Sequence, residues 1–237
     1  MHKIEEEIIL DKESPIFTVK ADGTNVSIKS ETYLDNYIIS CSKSLSAVTS
    51  SITKAELSLN MLNGDLLKHI SDEPEFLSSN IEMLIENSII RVQSIYDRVL
   101  IFINRILDLG ISNEAINHNS LVTNEHVKRF DLVNKLKAIN KICNEYRLIR
   151  NTVIHHDRYT EEQLDLLQLL INADYLTKES KGKEFMPASE LEALIGDFLA
   201  ITKEDLEGYL TKITEKVDLL FEAILPIYDY QKNRLRE

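Results

Sequence analysis

Proline and glycine are scarce in this chain, at 4 and 6 of 237 residues. Both interrupt regular backbone, glycine through its conformational freedom and proline through its missing N–H. Intervals such as that from Pro74 to Pro187 leave room for long unbroken elements, which argues for a mostly α-helical protein. Cysteine is scarcer still. Cys41 and Cys143 stand alone inside apolar helical patterns, and two buried free thiols in a reducing cytosol are expected rather than a disulfide. No apolar run reaches transmembrane length, and the opening "MHKIEEEIILDKESP" lacks the long apolar core of a signal peptide. A cytoplasmic protein is therefore expected. Internal repeats, low-complexity segments, a phosphate-binding glycine loop, a zinc-type cysteine pair and a nucleophile elbow are all missing as well.

What is present suits a folded soluble protein, with 43% hydrophobic and 28% charged residues. The net charge of −12 disfavours a nucleic-acid partner when taken whole. Its distribution does not. Residues 126 to 158 carry eight Lys or Arg against three acids, a local +5 that leaves −17 for the rest. A basic stretch of this kind is either a solvated face or an anion site.

The pattern along the chain predicts an all-α bundle of five to seven helices with a small N-terminal β-hairpin. Residues 1–30 form a segment carrying that hairpin at 16–29, around Asp22-Gly23, and 31–237 form the bundle. A first helix is expected from near Ser30 to about Leu62, with Asn63-Gly64 as its stop. A second runs from Glu75 to Leu109, closed by Gly110, with Ile81, Leu84, Ile85, Ile89, Val92, Ile95, Tyr96, Val99, Phe102, Ile103 and Ile106 at helical spacing. So wide an apolar face marks a central helix. A basic helix follows over about 124–155, and then a helix opening at Thr160 with an acidic first turn. "KESKGKEF" reads as a loop and 188–199 as a short helix. A last helix carries Leu206, Leu210, Ile213, Val217, Leu220, Ile224 and Ile227 at alternating four-three spacing, a packing seam.

The stretch that looks like chemistry is "RNTVIHHDR", residues 150–158, at the end of the basic helix. Counting about 100° per residue from Ile142, the core-facing stripe holds Ile139, Cys143, Tyr146, Ile149 and Val153, and Arg150 falls inside it at about 80°. Arg147 and Asn151 fall outside, at about 140° and 180°. A guanidinium is seldom taken out of water unpaired, so Arg150 is either one partner of a structural ion pair or an anchor for an anion. His155 and His156 are either a surface cap at a helix end or groups for proton transfer near neutrality.

This arrangement, Arg, a polar residue, three arbitrary residues and His, resembles the signature of the HEPN superfamily, all-α domains many of which are metal-independent ribonucleases. Here it reads Arg150-Asn151-Thr152-Val153-Ile154-His155, and His156 fits the family's looser spacing of four to six residues. The likeness in pattern covers residues 30–237. It implies RNA cleavage by the RNA's own 2′-hydroxyl, with no metal or other cofactor. His155 would move the proton, with His156 as the alternative motif histidine. Arg150 would hold the phosphate bidentately, and Asn151, on the face of His155, would orient the imidazole or the phosphate. Lys141, Arg147 and Arg158, the cations around the motif, would contact the RNA. On a straight helix Arg150 and His155 diverge by about 140°. Either the helix is distorted, or two copies assemble one site across a two-fold interface, as HEPN proteins commonly do; a homodimer is the expectation. Some HEPN toxins carry a Tyr two residues after the motif His, modified by a nucleotidyltransferase antitoxin. Here that position is Asp157, and the nearest tyrosine is Tyr159, so that partner and the toxin role do not carry over directly.

Two other classes fit parts of the sequence. His156-Asp157 is similar to the metal-binding pair of HD-type phosphohydrolases, but His69, His118 and His126 lie in polar stretches without the context such a site needs. A non-catalytic HEPN-like module binding nucleic acid, a nucleotide or a protein would retain the same motif.

Overall fold

The computed structural model describes residues 2–70, 74–148, 151 and 161–236. Nine α-helices occur among them, more than the five to seven expected: three short ones (the first, third and fifth below) are not announced by the periodicity and the basic stretch is split in two, while the two helices expected at the C-terminal end are one. In chain order they are α1 (Lys3–Ile9), α2 (Tyr33–Met61), α3 (Gly64–Ile70), α4 (Pro74–Ile106), α5 (His118–Val122), α6 (Glu125–Arg129), α7 (Val133–Cys143), α8 (Glu162–Lys181) and α9 (Ala188–Arg236). The only strands among the described residues are β1 (Lys20–Asp22) and β2 (Asn25–Ser27). They pair antiparallel with Asp22 opposite Asn25, and Gly23 takes the turn's positive φ of 59°.

The chain forms two compact units. One comprises Met1–Ile52, Ser94–Cys143 and Lys212–Glu237; the other comprises Thr53–Gln93 and Asn144–Thr211. In the first, α1 is an element that periodicity does not announce. His2 caps it, its Nδ1 accepting from the Ile4 amide while Glu5 accepts from the His2 amide. Ile4 and Ile8 are fully buried, contributing roughly 1.5–3 kcal/mol each. Ser42 of α2 donates to the Ile8 carbonyl at 3.0 Å, and Phe102 of α4 meets Phe221 of α9 edge-on at 6.0 Å. After α4, Asp108 and Gly110 take positive φ, and the buried Asn104 side chain bonds both the amide and the carbonyl of Ile111, folding the chain back.

In the second unit, Asn63 does more than end α2. Its side chain accepts from the Asp65 and Leu66 amides and so opens α3. Gln168 of α8 donates to Glu82 of α4 at 2.8 Å. α8 begins at Glu162 with Glu161 in the cap position and no side-chain cap bond; Thr160, the expected cap, lies outside the described residues. It also runs on into the segment expected as loop, ending where Gly182 takes φ 60°. The two C-terminal helices expected are one. α9 continues for 49 residues with Gly196, Gly208 and Pro226 inside it, and all seven seam residues are buried. Every apolar position predicted on α4 is buried too, as are the free thiols of Cys41 and Cys143. No helix among the described residues is long and apolar enough to cross a membrane.

The basic stretch departs most from expectation. Its single helix is broken by Asp131 at φ 54° between α6 and α7, and again by a 3-10 turn at Asn144–Tyr146.

Candidate functional site

The second break matters for the motif, which follows it by four residues. A 3-10 turn advances about 120° per residue instead of about 100°, so three residues rotate whatever follows by roughly 60°. The helical phase counted from Ile142 therefore holds only to Cys143. Arg147, Leu148 and Asn151 are helical, the first two exposed and Asn151 half-buried. Arg150, His155, His156 and Arg158 lie outside the described residues, and so do Ile149 and Val153 of the expected core stripe. Lys141 belongs to the first unit, on the exposed face of α7, with Lys137 one turn before it. Neither lysine has an ion-pair partner among the described residues, whereas Lys128 on α6 is held by Glu125 at 2.7 Å.

Within the second unit, the 3-10 turn sets Tyr146 against the buried Tyr209, ring centroids 4.4 Å apart. Tyr146 also lines a cleft of about 620 Å³. α9 gives this cleft an apolar wall of Leu194, Phe198 and Ile201, at i, i+4 and i+7, and α4 adds Ile85. Its polar side is Glu161, Gln163, Thr202 and Asp205. Burial raises the Tyr146 hydroxyl above its ordinary value, and the carboxylates of Asp205, Glu145 and Glu161 push it further the same way, so it remains a donor. A volume of this size admits a nucleoside-sized ligand, and Tyr146 and Phe198 offer it faces to stack on. Its carboxylates do not suit a phosphate. The cleft draws its lining from three distant stretches of chain, and the one sequence signal for it is the Leu194, Phe198, Ile201 spacing.

The histidines of the metal-centre alternative are used otherwise or stand apart. The Tyr96 hydroxyl lies 2.5 Å from Nδ1 of His118, and burial together with the nearby Lys137 charge lowers the His118 pKa, so the neutral ring accepts. His126 is exposed on α6, and the His69 side chain lies outside the described residues. Among the described residues no three His, Cys, Asp or Glu side chains are placed to hold a metal.

Long helices, one of them with a wide buried apolar face, and a basic stretch leading into Arg-Asn-x3-His are the features the HEPN resemblance leads one to expect. The chain belongs to the HEPN_Cthe2314-like HEPN family, whose model matches residues 37–230, from four residues into α2 to six before the end of α9. No curated protein and no solved structure matches it.

Proposed function

We propose that this protein is a metal-independent endoribonuclease of HEPN type, acting at a site composed across a homodimer interface. The observation that carries the proposal is the Arg150-Asn151-x3-His155 motif in a chain of this family, a family of domains that are often ribonucleases. Cleavage by a 2′-hydroxyl needs a base for that hydroxyl, charge stabilisation at the phosphorane and an acid for the leaving oxygen. His155 supplies proton transfer, with His156 beside it. Arg150 holds the phosphate through its planar fork, and Asn151 orients. Lys137 and Lys141 on α7, which have no ion-pair partner among the described residues, attract the RNA backbone together with Arg147 and Arg158.

The test is RNA cleavage with EDTA present, read as 2′,3′-cyclic phosphate ends. His155→Ala should lower the rate roughly 10²-fold or more. Arg150→Lys should fail equally although it keeps the charge, because the fork is lost. His156→Ala should do less. A purified protein that cleaves no RNA, or a His155 variant as fast as the parent, would overturn the assignment. The second reading, a non-catalytic module, is favoured by one observation: the cleft beside Tyr146 is rimmed by carboxylates, which suits a nucleoside or a protein segment better than an RNA backbone. Binding of RNA or nucleoside without cyclic-phosphate products would establish it. A nucleotidyltransferase-type antitoxin partner has no support beyond the family resemblance.

A further inference from the structure

Helix α8 is apolar on two faces, and the chain covers only one of them. Leu164, Leu167 and Ile171 are at most 5% exposed, whereas Leu166, Leu169 and Leu176 stand 48, 63 and 62% exposed. An amphipathic helix turns one apolar face to its core and keeps the opposite face polar, so a second apolar face is one face more than the fold needs. The exposed leucines follow a rule of their own. Positions 162, 166, 169, 173, 176 and 180 alternate spacings of four and three, the seam of a helix pair, and they read Glu, Leu, Leu, Ala, Leu, Ser.

We propose that this seam is a two-fold interface in which α8 of one copy packs antiparallel against α8 of a second copy. Charge selects that occupant and that direction. The seam's first turn carries Glu162 and Asp165; its last carries Lys178 and Lys181. Lys178 is already held by Asp174 at 2.8 Å, but Glu162 and Lys181 have no ion-pair partner among the described residues. Centring the two-fold axis at position 171 sets Leu169 against Ala173 of the second copy and Leu166 against its Leu176. It also brings Glu162 within reach of Lys181 of the second copy, and the axis repeats each contact. A parallel pairing would oppose like charges at both ends. The helix dipole explains acids at the start and lysines at the end, but it has no bearing on the leucine seam between them.

α8 is about 30 Å long, and a single helix pair of that length buries well under the ~800 Å² per partner of a standard interface. The association is accordingly weak, with Kd between roughly 1 μM and 1 mM. The seam is made of α8 residues and not of the motif residues, and its readout is mass rather than cleavage, so either can fail alone.

The experiment is sedimentation equilibrium of the full chain over that concentration range. The parent should show a concentration-dependent rise in average mass that Leu169→Lys lacks, whatever assembly the motif interface adds to both. Glu162→Lys and Lys181→Glu should each weaken this step about tenfold, since each reversal acts twice across the axis, and the double reversal should restore it. All three positions are exposed, and unchanged circular dichroism melts would show the variants folded. Equal masses for parent and Leu169→Lys would overturn the proposal. So would a double reversal weaker than either single one.

Discussion

Burial alone would raise the Asp11 carboxyl, but hydrogen bonds from Lys232, the Glu13 amide and Tyr228 outweigh it and hold the group below its ordinary value. A carboxylate depressed in the folded state stabilises the fold above its unfolded pKa, near 3.9, and that contribution fades as pH falls through the folded value. Glu13 is depressed the same way, chiefly by Arg236. Melting temperature should thus be flat from neutrality to about pH 5 and drop below about pH 4. Asp11→Ala should flatten part of that drop and cost about 3 kcal/mol by urea unfolding, because it strands Lys232, whose side chain is only 10% exposed. The loss stays at the low end for a buried pair because Glu13 lies 3.1 Å from the same ammonium. A variant as stable as the parent at pH 7 would show that the pair merely offsets its own desolvation.

Glycines separate the elements by sign. Gly182 ends α8 at φ 60°, its amide bonded to the Lys178 carbonyl, so Gly182→Ala should cost about 1 kcal/mol. Gly196 and Gly208 lie inside α9 with open space around each Cβ position, and alanine there should add roughly 0.5–1 kcal/mol apiece. Urea titration of the three variants reads both signs, and a destabilising Gly196→Ala would contradict the continuity of α9. That continuity escapes the sequence because a helix tolerates a glycine whose cost the buried seam outweighs. The central helix is legible for the opposite reason: eleven positions from Ile81 to Ile106 keep one period and all are buried. α1 is too short for a period, having only Ile4 and Ile8 to show. Asp131 gives no glycine or proline signal for the break in the basic helix, and nothing in "NEY" marks a 3-10 turn. The motif is legible as residue types at a spacing. The cleft beside Tyr146 is not, because its walls meet only in the folded chain.

At the scale of the whole molecule, the charge that matters is local. A chain with −17 outside one basic stretch repels RNA in general, so binding depends on the few cations placed to reach it. If about three phosphates are neutralised, single-stranded RNA affinity should fall with log salt at a slope near −2, roughly 10–30-fold between 50 and 200 mM. Lys137→Ala and Lys141→Ala should each reduce that slope by about 0.7 and weaken all RNA sequences alike, as loss of a phosphate contact does. Arg150→Lys should leave the slope nearly unchanged while abolishing cleavage, since it keeps the charge and loses only the fork. Filter binding of a labelled, non-cleavable RNA across a salt series measures all of these. A slope unaffected by either α7 lysine would move the RNA off that face and leave the motif's own cations as its only electrostatic anchor.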